Sequence, residues 1–161
     1  MLDAVKIKDT ICLNPEFLNS NIDNHIFDKI KECKINDCSK ENGYIINIRK
    51  LLKILDNNIS KVNCDLIFTV IYEADVLKPE IGKIFTDNVC MVFSSGLFVN
   101  VMNKFKVLIP INYLENYLFE NNYFINSINK NTIKEGDKVK FEITGIKYSK
   151  KQFNCIAKIL F

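Results

Sequence analysis

Residues 78–101, "KPEIGKIFTDNVCMVFSSGLFVNV", mark the place where the pattern of the chain changes. Pro79 opens the stretch, Gly82 follows, and Ser94-Ser95-Gly96 separates two apolar runs. The chain has only five glycines, so each is expected to answer a backbone need. Beyond Pro79 the reading is all-β. "IGKIFTDNVCMVF" and "GLFVNVM" read as strands joined at Ser94-Ser95-Gly96, where glycine permits the positive φ of a tight turn. "KFKVLIPI" is a third strand, halted by Pro110, which has no N–H to give to a ladder. "NYLENYLFENNYF" has helical or irregular aromatic character, and "EGDKVKFEITGI" with "KQFNCIAKIL" makes a closing hairpin around "KYSK". Five strands with an irregular insertion between the third and fourth is the order of an OB barrel.

Before Pro79 the pattern mixes strand and helix. "AVKIKDTICL" alternates apolar and polar residues and predicts a half-buried strand. After Pro15, Ile22, Ile26, Ile30 and Cys33 recur at helical spacing behind Asn and Ser residues able to cap. His25 flanks that stripe with no second ligand or catalytic partner nearby, so it reads as a helix-surface histidine. "INDCSKEN" is a polar loop ending at Gly43, "GYIINIRKLLKIL" a strand, "DNN" a turn, and "CDLIFTVIYEADVLK" a second long apolar strand. The result is a small α+β unit, its helix on one face, ending near Leu77.

The totals bound the function. At 161 residues the chain holds one ordinary domain or two small ones, and 48% hydrophobic content with 25% charge is a globular balance. No apolar run approaches the ~20 residues that span a bilayer, and "MLDAVKIKDT" carries an early acid and no long apolar segment, so an intracellular chain is expected. The net charge of +3 permits contact with nucleic acid without requiring it. Of the 22 basic residues all but Arg49 are lysines, which attract phosphate diffusely rather than reading bases with bidentate forks. The six cysteines are scattered without a CxxC, and a reduced-thiol reading, mostly within the core, is preferred to a metal site. With one histidine and no phosphate-cradling glycine motif, a catalytic apparatus has little to build on. Glu73 and Asp75 share one face of a strand but lack further oxygen ligands nearby, and read as an exposed strand edge. Neither cofactor nor metal is expected.

The order of these segments resembles, from end to end, the stalk subunit of multisubunit DNA-directed RNA polymerases, the seventh subunit of eukaryotic polymerase II and its archaeal counterpart. "VKIKDTICLNPEFL", the helix after it and "NGYIINI" are similar to that family's opening strand, turn, helix and glycine-led strand. "FTVIYEADVLKPEIGKI" resembles the strand crossing into the second domain, and "SSGLFVNV" and "KEGDKVKFEITGI" resemble two hallmarks of the OB motif first named from a ribosomal protein. The resemblance implies an α+β chain, a two-domain rod. Residues 1–77 form a truncated ribonucleoprotein-like domain that docks on the polymerase core, and residues 78–161 a five-stranded OB-type barrel near emerging RNA.

On this resemblance the tip loop spans Ile35 to Tyr44, with Asp37, Ser39, Lys40, Glu41, Gly43 and Tyr44 as the polymerase contact; taken as a bare loop, it is a solvated turn. In the barrel, Phe98 occupies an aromatic position of the motif, and Lys104, Lys106, Lys147, Lys150 and Lys151 make a phosphate track beside it. Phe105 reads equally well as a core residue. Ser95 replaces an aromatic often found before the turn glycine, and Pro110 stands about where such barrels carry a histidine, so weak, salt-sensitive RNA contact is expected.

The implied function is a non-catalytic stalk subunit whose partners are the polymerase core, nascent RNA and a small helical stalk subunit, with no membrane. Two alternatives stand beside it: a free-standing OB-fold RNA-binding protein of translation or RNA decay, and a structural stalk without RNA contact. The weight of Ile, Lys and Asn suggests an A+T-rich genome, which fits a large DNA virus among other sources. The place of action is then the nucleus for a cellular eukaryotic chain, and a cytoplasmic factory or virion for a viral one.

Overall fold

A computed structural model describes residues 2–161, and the chain divides into two compact units, Met1–Lys78 and Pro79–Phe161. The first unit contains β1 (Asp3–Leu13), α1 (Ile22–Lys34), β2 (Cys38–Ser39), β3 (Gly43–Ile59) and β4 (Leu66–Leu77). Its strands form one antiparallel sheet in the order β1-β4-β3-β2. Every second residue of β4 from Phe68 to Val76 is buried, and these side chains meet Ile7 and Ile11 of β1 and Ile26 and Ile30 of α1. The helix is therefore held by its stripe, as the spacing predicts. At the ends of that stripe Ile22 is only partly buried and Cys33 is exposed. Asn21 makes no side-chain cap; instead Asn19 Oδ1 accepts from the Asn21 amide at 2.9 Å.

Strand β3 departs from simple alternation. Ile45, Ile48, Leu51 and Ile54 recur every third residue, yet pair with Val76, Ala74, Tyr72 and Val70, every second residue of β4. The register absorbs the mismatch by inserting one extra β3 residue at each step: Ile46, Arg49, Leu52 and Leu55. Repeated bulges of this kind increase the twist of a strand while keeping its apolar side on the core. The expected turn at "DNN" is corrected for the same reason. Asp56, Asn57 and Asn58 continue the ladder opposite Thr69, Phe68 and Ile67, and the chain reverses at residues 60–65, where the Ser60 amide donates to Asp65 O at 2.8 Å.

The second unit begins with β5 (Ile84–Phe93), β6 (Gly96–Val101) and β7 (Phe105–Pro110). After these come β8 (Tyr117–Glu120), β9 (Tyr123–Asn126), β10 (Thr132–Ile133), β11 (Lys138–Ser149) and β12 (Gln152–Leu160). Five of them close into a barrel in the order β11-β12-β7-β6-β5, which bears out the five-stranded OB-type reading. Phe85, Phe105 and Phe141 meet inside it, with centroids 6.1 Å (Phe85–Phe105) and 6.2 Å (Phe85–Phe141) apart. The insertion is not helical. After one 3-10 turn at Ile111–Tyr113 it forms a three-stranded sheet, β10-β9-β8, because Asn121 and Asn122 both take positive φ and close a tight hairpin. Gly82 belongs to the barrel unit, since its amide donates to Ile143 O at 2.8 Å.

The reason for Gly96 also changes. Ser94 and Ser95 form the reversal with neither at positive φ, and Gly96 is the first residue of β6. Its φ is +151°, and an added Cβ would lie 2.4 Å from Ile109 O, so the residue is small to let β7 approach. Among the six cysteines only Cys38 and Cys155 are buried; Cys12, Cys33 and Cys64 are exposed, because each stands on the outer side of its element or in a turn.

Candidate nucleic-acid interface

Inside the barrel, alternation buries Leu97, Val99, Val101, Val107, Ile109, Phe153 and Cys155, so the residues between them face outward. Register then sets these outward residues side by side. Met91 pairs with Phe98, Phe98 with Leu108, and Leu108 with Ile156, an apolar ridge across four strands. One step along, Asn100 pairs with Lys106, Lys106 with Asn154, and Asn154 with Lys147. Alternate residues on a strand are about 7 Å apart, so the apolar ridge and a row of amides and lysines run next to each other.

The sequence-predicted residues are largely brought together here. Phe98 sits in the ridge, and Lys106 and Lys147 share the adjacent row. Because β7 and β12 run parallel, the β6–β7 reversal carrying Lys104 and the β11–β12 reversal carrying Lys150 and Lys151 lie at the same end of the barrel. Lys150 and Lys151 have φ of 50° and 58°, the two-residue turn that follows the twist of a hairpin. Phe105 is only 3% exposed and fills the core, so it leaves the binding surface.

Sequence reasoning missed Met91, Phe93, Leu108, Ile156 and the two asparagines. Phe93 is the most informative of these. It stands two residues from Met91 on the same face, with its ring 5.8 Å from Phe98 at 87°, and it is 40% exposed. The stacking capacity absent at Ser95 is thus offered from β5. Simple alternation from buried Phe85 and Val89 would put Met91 and Phe93 inside; the extra residue at Cys90 shifts the register and turns them outward, a reversal that no periodicity in the sequence signals.

The first unit places its predicted contact residues unevenly. Lys40 and Glu41 are exposed in the turn between β2 and β3, where Ser39 Oγ accepts from the Asn42 amide at 3.1 Å. Tyr44 is only 6% exposed, and Gly43 is buried with φ +77°. A Cβ on Gly43 would lie 2.5 Å from Leu77 O, so the close backbone approach it allows is to β4 of its own sheet rather than to a partner. Burial removes both residues from a direct contact role. Cys38, beside them, has its thiol pKa raised by burial, with Asp37 adding to the shift and a hydrogen bond with Tyr44 opposing it.

Glu73 and Asp75 are corrected as well. They lie on β4, between β1 and β3, and not at an edge. Arg49, one of the extra residues of β3, reaches both: Nε donates to Asp75 Oδ1 at 2.7 Å and Nη1 is 3.6 Å from Glu73 Oε1. On the helix side Asp9 accepts from Tyr72 Oη at 3.4 Å and pairs with Lys34 at 2.9 Å. Burial first, and Asp9 second, push the Tyr72 hydroxyl well above the ordinary tyrosine range. His25 packs on Phe17, centroids 5.1 Å apart, and no group of three metal-ligating side chains occurs among the described residues.

Residues 8–85 match the family described as the SHS2 domain found in the N terminus of Rpb7p/Rpc25p/MJ0397. Residues 78–155 match the S1 RNA binding domain. No curated protein sequence matches the chain. Among solved structures, the apo form of Mycoplasma genitalium RNase R is similar at 23% identity and a TM-score of 0.40, over 48% of this chain and 13% of that one. A likeness that slight carries no argument about function.

Proposed function

From the Rpb7/RpoE stalk-subunit architecture that this chain has, an SHS2 domain followed by an S1 domain, we propose that it serves as a non-catalytic stalk subunit of a DNA-dependent RNA polymerase. The exposed turn at Lys40 and Glu41 docks the first unit on the polymerase core. The barrel meets emerging RNA with its ridge and lysine row, bases stacking on Phe93 and Phe98 while phosphates follow Lys106 and Lys147. One observation carries the RNA half of this reading: four strands set an apolar ridge, with Phe98 in it and Phe93 against Phe98, beside Lys106 and Lys147, which no carboxylate answers among the described residues.

Lysines without arginine forks give affinity without base specificity. Contact through Lys104, Lys106, Lys147, Lys150 and Lys151 predicts a slope of about −3.5 for log affinity against log salt on single strands. Doubling the salt then costs about tenfold in affinity. The experiment that tests the whole reading is a pulldown of the tagged chain at moderate salt, with mass spectrometry of what comes with it. Recovery of the large polymerase subunits is expected; a chain that brings down RNA and no polymerase is a free-standing RNA-binding protein instead.

A further inference from the structure

A second feature of the barrel unit lies apart from the ridge. A groove of about 450 Å³ is lined by the start of β11, the end of β12, Tyr117 of β8 and the residues at β10. Tyr117 and Phe161 stack there, ring centroids 5.6 Å apart and 9° from parallel. Tyr117 is buried, whereas Phe161 is 84% exposed. The pair therefore presents one open ring face on a fixed base, a platform on which any nucleobase can stack.

The charges beside this platform are unanswered. Lys138 and Lys140 face outward on either side of buried Val139, about 7 Å apart along β11. Neither has a carboxylate partner among the described residues, while the next outward residue of the strand, Glu142, is held by Lys158 at 3.2 Å. Asn131 lines the same groove. Aromatic face, paired lysines and an asparagine are the parts from which single-strand sites are made, and here they converge in a cavity of nucleotide size.

We infer that this groove is a second single-strand RNA site, with Phe161 stacking one base and Lys138 and Lys140 holding the phosphates that flank it. The inference rests on the RNA-binding reading of the barrel given above, and it places a second contact on the strand that already carries Lys147. Lys138 and Lys147 are separated by up to about 30 Å along β11. A tetranucleotide is too short to bridge them, so it samples each site separately, whereas a longer transcript engages both and gains from their linkage.

The test uses the full chain and a 4-thiouridine-substituted tetrauridylate, cross-linked at low salt and mapped by mass spectrometry. Two groups of cross-links are expected, one around Phe93 and Phe98 and one around Tyr117 and Asn131. Phe161→Leu should weaken the second group about tenfold and leave the first unchanged. Lys138→Gln with Lys140→Gln should do the same and flatten the salt dependence of the second group alone. Cross-links confined to the ridge, or groove cross-links that survive both variants, overturn the second site and leave the ridge standing. Cross-links at the groove only support the second site and remove the ridge. Cross-links at neither overturn both. Phe161, Lys138 and Lys140 lie on the surface, so these variants keep the fold, which an unchanged thermal transition would verify.

Discussion

The outward sheet surfaces of the two units treat their cations differently. In the first unit, Arg49 and Lys50 are answered by β4: Asp75 lies 2.7 Å from Arg49, and Glu73 lies 3.6 Å from Arg49 and 3.8 Å from Lys50. In the barrel, Lys106 and Lys147 share a row with two asparagines and no acid. The contrast does not come from the number of cations. Met1–Lys78 holds 11 basic residues against 12 acids, a net −1, while Pro79–Phe161 holds 11 against 7, a net +4. A polyanion is drawn by charge that the protein has left unanswered, so equal cation counts give one sheet whose cations are paired and one whose Lys106 and Lys147 have no acid in their row.

The strongest way to break this comparison is to remove one unit and keep the other. Gly96→Ala drives a Cβ to within 2.4 Å of Ile109 O, and Gly43→Ala drives one to within 2.5 Å of Leu77 O; both residues are at positive φ. Each change should destabilise its own unit by about 3 kcal/mol or more, since backbone cannot yield as a flexible side chain can. Gly82→Ala and Gly136→Ala meet nothing within 4 Å and should cost only the strain of their positive φ, about 1 kcal/mol. Two buried thiols report which unit has opened. Burial pushes the Cys155 thiol up to about 12, and it raises that of Cys38 in the first unit. In the native chain at pH 8, iodoacetamide should label exposed Cys12, Cys33 and Cys64 quickly and spare Cys38 and Cys155. Gly96→Ala should expose Cys155 and abolish RNA binding, while Gly43→Ala exposes Cys38 and leaves RNA binding in place. Loss of RNA binding in Gly43→Ala with Cys155 still protected would contradict the assignment of the binding surface to the barrel.

A smaller effect sharpens the comparison within the barrel itself. Lys106→Glu with Lys147→Glu puts acids into the row, as β4 does with Glu73 and Asp75. RNA affinity should fall about thirtyfold or more at low salt and converge with the wild type as salt rises. Phe98→Ala should cost about tenfold with an unchanged salt slope, because stacking carries no counterion release. Filter binding of a labelled oligouridylate across a salt series separates the two behaviours.

Legibility differed between the units for a physical reason. In the barrel, strands alternate with period two, so Leu97, Val99 and Val101 announce their inward side, and Phe98 its outward one. The hairpin lysines were legible too, since turns are exposed. What alternation within one strand cannot give is the neighbour across the sheet; Leu108 and Ile156 join Phe98 only through register. In the first unit, the repeated bulges of β3 convert an apolar period of three into a buried face, a pattern that neither strand nor helix templates describe. That is why Glu73 and Asp75 passed as an exposed edge and "DNN" as a turn. The docking loop illustrates a further limit. Gly43 and Tyr44 sit in a polar stretch of sequence, but β2 and β4 cover them, and short-range composition carries no trace of that cover.

The smallest expected effect is at Arg49, and its smallness is what the comparison requires. Its side chain is half exposed, and Asp75 and Glu73 keep 15% and 22% of their surface, so solvent screens the pairs. Arg49→Gln should therefore cost the first unit under about 1 kcal/mol, read as a small shift in thermal midpoint that shrinks further in salt. Removing a cation whose field is already cancelled by Asp75 and Glu73 should change oligouridylate affinity by less than about twofold. The informative variant is Asp75→Asn, which keeps the shape and releases the guanidinium from one of its two carboxylates. If the barrel alone holds RNA, Asp75→Asn leaves binding unchanged. If unanswered charge is sufficient anywhere on this chain, Asp75→Asn adds a weak, salt-sensitive contact in the first unit, and the same change in the Lys106→Glu, Lys147→Glu background restores part of the lost affinity. A gain in that background would show that the two sheets differ only in their acids, and no gain would show that the apolar ridge beside the lysines is what makes the barrel a binding surface.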